Sequence, residues 1–207
     1  MKFSIEELRP TRNGMTISRD SKLGNSTKVT YFSMGKDTSI SQESYDRMTM
    51  YIGASGWGEF IIGEEPEIIK LQPDELLIVP AGTLCGMQTS NGIVYTEIIC
   101  TGKDINMNAN VKTNEVFALK NLISYEEGSI ANMDVVSTPD MKYVLMAFDE
   151  GTGLTPHRAP GNAIVFALEG KATIGYEGKD YELSEGECFR FEKNGLHSVT
   201  ANGKFKM

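Results

Sequence analysis

The stretch GTGLTPHRAPGNAIVFALEG, residues 151–170, decides how this chain is read. It sets a glycine turn, a histidine and a Pro-Gly pair ahead of an apolar run. Within that run, AIVFAL (163–168), an extended backbone puts Ala163, Val165 and Ala167 on one face and Ile164, Phe166 and Leu168 on the other. Both faces are apolar, which predicts a strand covered by a barrel interior on one side and another sheet on the other. The stretch also holds His157, one of only two histidines; the second, His197, follows another glycine turn in EKNGLHSV.

Working outward, the pattern repeats. LRPTRNGMTISRD…TKVTYFSM (8–34) and LISYEEGSIANMD…MKYVLMAF (122–148) share a leucine, a glycine six residues on and a closing apolar strand, at a constant offset of 114 residues. Gly56 and Gly170 keep that offset. A two-residue shortening then gives 112 for Leu71 and Leu183, and for Cys85 and His197. The chain therefore reads as two copies of one unit of roughly 90–100 residues. Residues 1–100 form the first domain and 121–207 the second. Residues 101–120, polar and Asn-containing, form a linker in which TNEVFALKNL is expected to enter a short helical turn. The first copy closes with GIVYTEIIC (92–100) and the second with GKFKM (203–207). Glu97 to Cys100 have no counterpart, so the last strand of the second copy is expected to be short or clipped.

Each copy is short strands and turns. KATIGYEGKDYEL folds as a hairpin about its Glu-Gly-Lys tip. DELLIVPAGT is a strand stopped by Pro-Ala-Gly, because proline cannot continue a ladder. With 21 glycines and no long helical pattern, the fold class is all-β.

Composition excludes several partners. The net charge is −8, and the 20 lysines and arginines do not cluster, which argues against nucleic acid and an anionic membrane surface. No window approaches eighteen apolar residues, so no membrane span is expected. The opening MKFSIEELRP carries acids where a signal peptide needs an apolar stretch. Three cysteines without a CxxC spacing fit reduced thiols in a cytoplasm. There is no G-x-G-x-x-G, Walker loop, H-E-x-x-H or G-x-S-x-G. GASGWG (53–58) falls at a barrel turn and is a poor phosphate loop.

The frame from Gly151 to Gly170 resembles the first motif of the cupin superfamily: G, five residues, H-x-H, three or four residues, E, six residues, G. His157 falls on the first histidine, Ala159 on the second and Ala163 on the glutamate. In the second motif Gly186 and His197 match, while Glu192, Asn194 and Ala201 replace proline, glycine and asparagine. The first copy keeps Pro80 and Gly82 of that motif and puts Cys85 at the histidine place; its first-motif ligand positions become Glu43, Tyr45 and Thr49. The resemblance implies two tandem cupin β-barrels of jelly-roll type, a bicupin with few short helical segments. Cupins often form dimers through sheet faces, so a homodimer is expected.

Cupin sites of this frame bind a divalent transition metal through three imidazoles and a carboxylate. Here only His157 and His197 remain, and Ala159 and Ala163 offer no lone pair. The pair could hold a metal completed by water or ligand. It could instead bind a small molecule without metal, since imidazoles donate, accept and titrate near neutrality. Or both could be packed relics acting through a partner protein. Arg190, on CFRF, would add a cation if it pointed inward. The first copy looks emptier: Cys85 reads as an apolar filler, Trp57 as packing, and Cys100 and Cys188 as core. The leading expectation is a small-molecule-binding protein with a pocket at His157 and His197. A metal-dependent dioxygenase or isomerase using the same residues is the alternative.

Overall fold

The computed structural model describes residues 1–23, 27–102 and 104–207. In chain order the elements are β1 (Lys2–Phe3), α1 (Ile5–Leu8), β2 (Thr16–Asp20), β3 (Lys28–Met34), β4 (Thr38–Ser44), β5 (Thr49–Gly56), β6 (Gly58–Ile62), β7 (Glu67–Leu71), β8 (Glu75–Val79), β9 (Leu84–Thr89) and β10 (Ile93–Ile99). They continue with β11 (Asn106–Met107), β12 (Val116–Ala118), β13 (Ile130–Thr138), β14 (Met141–Phe148), β15 (Gly153–Arg158), β16 (Ala163–Phe166), β17 (Glu169–Tyr176), β18 (Lys179–Ser184), β19 (Cys188–Phe191) and β20 (Leu196–Lys206). The fold is nearly all-β, as the turn-rich sequence implies. Among the described residues no helix is long and apolar enough to cross a membrane.

The chain divides into two compact units. The N-terminal unit holds Ile5–Ala118 and Val136–Lys142; the C-terminal unit holds Met1–Ser4, Leu119–Val135 and Tyr143–Met207.

In the N-terminal unit a sheet of order β12-β8-β5-β10-β3-β2 and a sheet of order β4-β9-β6-β7 share one core. Met34, Tyr51, Leu77, Ile93 and Tyr95 from the first meet Phe60, Ile62, Leu71 and Met87 from the second. In the C-terminal unit β13-β14-β20-β17-β18, with β15 also on β20, shares a core with the short sheet β1-β19-β16. Phe148, Ile174, Val199 and Phe205 meet Phe189 and Phe191 there. A fully buried side chain of this size removes apolar area worth about 1.5–3 kcal/mol from water, so these rings dominate each core.

The repeat read from sequence is written into the hydrogen-bond register. Met34 pairs with Ile93, and Phe148 with Phe205. Gly56 pairs with Ile93, and Gly170 with Phe205. Gly58 pairs with Leu71, and Ala172 with Leu183. In every case the first partner moves by 114 and the second by 112. Gly56 and Gly170 both sit at positive φ, 66° and 76°, against the backbone of the next strand. A Cβ there would stand 2.1 Å from the Gly92 carbonyl oxygen or 2.0 Å from that of Lys204. No other residue fits either place.

The hairpin reading holds at β17–β18: Tyr176 pairs with Lys179, and Glu177 and Gly178 both have positive φ (48° and 77°), the signature of a type I′ turn. Two local expectations are corrected. Residues 163–166 are not buried on both faces. They form the edge strand β16 and stay half-buried; only Ala167 and Leu168 are buried. The TNEVFALKNL segment is mainly strand: β12 pairs with β8, and a single 3-10 turn, Leu119–Asn121, follows it. Val116 packs on the N-terminal core, and that tertiary contact outweighs the segment's local helical preference. The last strand, β20, runs the length of eleven residues, and Met207 extends its ladder by exchanging backbone hydrogen bonds with Met146 at 2.8 and 3.0 Å.

Candidate functional site

His157 lies on β15 and His197 on β20, and their Cα atoms are direct partners in the antiparallel ladder. The rings are 4.3 Å apart, tilted by 54°. His197 is buried and stacks on Phe191 at 4.2 Å, and Phe191 leads into the Phe189 and Tyr176 rings of the core. His157 is exposed, so the pair is not enclosed within the barrel as expected; it forms a step from the core to the surface.

Both imidazoles are held by the same local device. Nδ1 of His157 donates to the Thr155 carbonyl at 2.8 Å, and Nδ1 of His197 to the Gly195 carbonyl at 2.9 Å. A carbonyl can only accept, so each neutral ring carries its proton on Nδ1 and keeps a lone pair on Nε2. Among the described residues no hydrogen bond reaches either Nε2. Around the pair, Arg158 donates to the Asn194 carbonyl and faces Glu177 at 3.5 Å; Glu177 in turn accepts from the Leu196 amide at 2.6 Å. These contacts fix the loop that presents His197. Arg190 does not reach in as a free cation, because its Nε is paired with Glu192 at 2.8 Å.

The residues do not fit a resident metal. Ala159 and Ala163 supply no donor, the Ala163 methyl packs on the core, and among the described residues no group of three His, Cys, Asp or Glu side chains comes together. Two imidazoles alone fall short of the three protein ligands a catalytic site ordinarily uses.

The equivalent positions of the N-terminal unit carry more chemistry than the sequence reading allowed. Glu43 and Cys85 are ladder partners, matching His157 and His197. The Tyr45 hydroxyl stands by Glu97 and the Tyr51 hydroxyl by Cys85, whose thiol donates to the Gly86 carbonyl at 3.9 Å. Burial pushes the Cys85 thiol up to about 11, which leaves it an unreactive thiol at neutral pH. Glu97 is only 5% exposed. Burial drives its carboxyl up to about 7, against a partial opposing pull from Lys28 and the Tyr45 bond. Burial and the Glu97 charge raise Tyr45 to about 12. Glu97 and Tyr51 escaped the sequence reading, though a signal exists. In GIVYTEIIC, Ile93, Tyr95 and Glu97 share one face, and a lone carboxylate on an otherwise apolar inner face is out of pattern.

Residues 144–207 match the cupin domain family. A cupin 2 conserved barrel domain protein from Leptotrichia buccalis superposes over 100% of this chain and 93% of its own, with 23% identity and a TM-score of 0.87. Salicylate 1,2-dioxygenase from Pseudaminobacter salicylatoxidans covers 87% of this chain and 69% of its own at 11% identity and a TM-score of 0.63. Oxalate decarboxylase from Bacillus subtilis covers 100% of this chain and 74% of its own at 12% identity and a TM-score of 0.58. No protein of curated function matches the chain in sequence. The domain match supports a cupin domain over residues 144–207; at these identities the structural likeness speaks to fold alone.

Proposed function

We propose that this chain is a small-molecule-binding cupin protein that takes a polar ligand, bearing hydroxyl or carboxyl groups, on the His157–His197 pair. One observation carries the reading: both rings are locked through Nδ1 to backbone carbonyls, which leaves an Nε2 lone pair on each of two rings whose centroids are 4.3 Å apart. A hydroxyl or a protonated carboxyl donates to such an atom, and the preset tautomer lowers the cost of forming the bond. A bicupin layout, with both units descended from one barrel, is supported by the register pairs that recur at 114 and 112. The metal-dependent dioxygenase or isomerase reading lacks a third donor.

Thermal-shift screening of small carboxylates and sugars tests this. A ligand at 100 times its dissociation constant stabilises by roughly 2.7 kcal/mol, and His157→Ala should abolish that shift. Near-stoichiometric transition metal in protein purified without a histidine tag, lost in His157→Ala, would reverse the order of the two readings.

A further inference from the structure

The inner face of the N-terminal six-stranded sheet changes character along its length. At one end the ladder partners Met34 and Ile93 are wholly apolar. At the other, Glu97 sits between two ladder partners, Thr30 on β3 and Tyr51 on β5, and partners in a ladder project to the same face. One step inward, Tyr95 stacks on its partner Phe32 at 5.1 Å, with rings 4° from parallel. Tyr51 closes on Tyr95 at 6.1 Å. Phe32 and Cys85 pack against this core yet remain partly exposed, and Tyr45, hydrogen-bonded to Glu97, is exposed. Tyr45 thus links Glu97 to the surface.

Its polar groups are short of partners. Among the described residues no cation comes within ion-pair distance of Glu97. Tyr45 supplies one donor, and a carboxylate has room for about four. Thr30 is 5% exposed and its Oγ1 is buried with no hydrogen-bond partner. A buried hydroxyl left unpaired and a buried carboxylate left without a cation are both costly. A carboxylate, an unpaired hydroxyl and the Phe32 and Tyr51 rings are together what a small organic cation requires.

We propose that this end of the N-terminal barrel is a second binding site, for a primary alkylammonium ion, with Glu97 as counter-ion, Thr30 as a hydrogen-bond acceptor and the Phe32 and Tyr51 rings as its apolar wall. The groups facing Glu97 are Lys28 on β3, Tyr45 after β4, Tyr51 on β5, Cys85 on β9 and Tyr95 on β10, with Glu43 beside Tyr45. Only Lys28 among them is cationic at neutral pH. The bound form needs Glu97 ionised, so binding displaces its proton.

Titration calorimetry of the full chain with n-propylammonium, tetramethylammonium and n-propanol tests the site. Propylammonium should bind about tenfold more tightly at pH 8 than at pH 6, following the ionised fraction of a carboxyl near 7. Glu97→Gln should weaken it at least tenfold at pH 8. Thr30→Val, nearly isosteric, should weaken it several-fold while the fold is kept, so the test survives a Glu97 variant that fails to fold. Three results would each overturn the proposal: no saturable binding of propylammonium below tens of millimolar, equal binding of n-propanol, or tighter binding of tetramethylammonium, which has no N–H. So would binding that persists in Glu97→Gln and is lost in His157→Ala.

Discussion

Glu97→Gln should make the protein more stable, and the gain should depend on pH. The native carboxyl is raised from 4.5 to about 7 by burial. A raised pKa means that between these values the native state holds a proton the unfolded chain has released. Stability from this group is thus fully present below about pH 4.5 and is lost as pH rises, with the loss complete above about pH 7. At about 1.36 kcal/mol per unit, the penalty at pH 8 is about 3 kcal/mol. Glutamine keeps the shape and cannot ionise. The variant should match the wild type at pH 4.5 and exceed it by up to about 3 kcal/mol at pH 8, or about 6–12 °C in Tm for a chain of this length. Trp57 is the only tryptophan and lies in the same unit as Glu97, so urea unfolding followed by its fluorescence reads the right unit. Parallel stability–pH curves for wild type and Glu97→Gln from pH 4.5 to 8 would refute the reasoning, because they would mean that Glu97 is hydrated in the folded state.

Other expectations concern the histidines, the glycines and the thiols. His197→Ala removes a buried ring from between Phe191 and His157 and should cost about 2–3 kcal/mol, whereas exposed His157→Ala should cost under about 0.5 kcal/mol; thermal unfolding of the two variants separates them. Gly170→Ala would drive a Cβ to 2.0 Å from the Lys204 carbonyl oxygen and should cost more than about 3 kcal/mol. Gly178→Ala meets no atom within 4 Å and should cost about 1 kcal/mol for its positive φ alone; soluble yield and urea midpoints give the ranking. Burial raises Cys85 and Cys100 to about 11, so a disulfide reagent at pH 8 should label them in the native protein roughly 100-fold more slowly than in urea. Rapid labelling of one thiol would show that its surroundings are wet.

The fold was legible because it rests on local chemistry. Glycines at positive φ, a proline stop and alternating apolar strands recur at fixed offsets, and the ladders reproduce those offsets residue for residue. Residues 163–168 were misread because two apolar faces say only that a strand avoids water. They do not say how many layers cover it, and β16 lies at a sheet edge. The pairing of His157 with His197 followed from the frame, but the tautomer did not, since it depends on backbone carbonyls whose direction no residue type encodes. Glu97 was the harder case. Apart from Thr96 its neighbours in sequence are mainly apolar, and the groups that make it unusual, Thr30, Tyr45 and Tyr51, come from three other segments.

The strand β1 has a consequence for how the protein is made. Lys2 and Phe3 pair with Phe189 and Cys188, and the Met1 carbonyl accepts from the Arg190 amide at 2.9 Å. On a ribosome adding about 5–20 residues per second, β1 waits roughly 10–40 s for its partner β19. Until then β1 has no ladder, and the short sheet of the C-terminal unit lacks a strand. A fusion joined at Met1 would stay tethered beside the edge that β19 must offer. Its effect should therefore appear in the refolding rate of the C-terminal unit, whose closure brings Lys2 to Phe189, before it appears in stability.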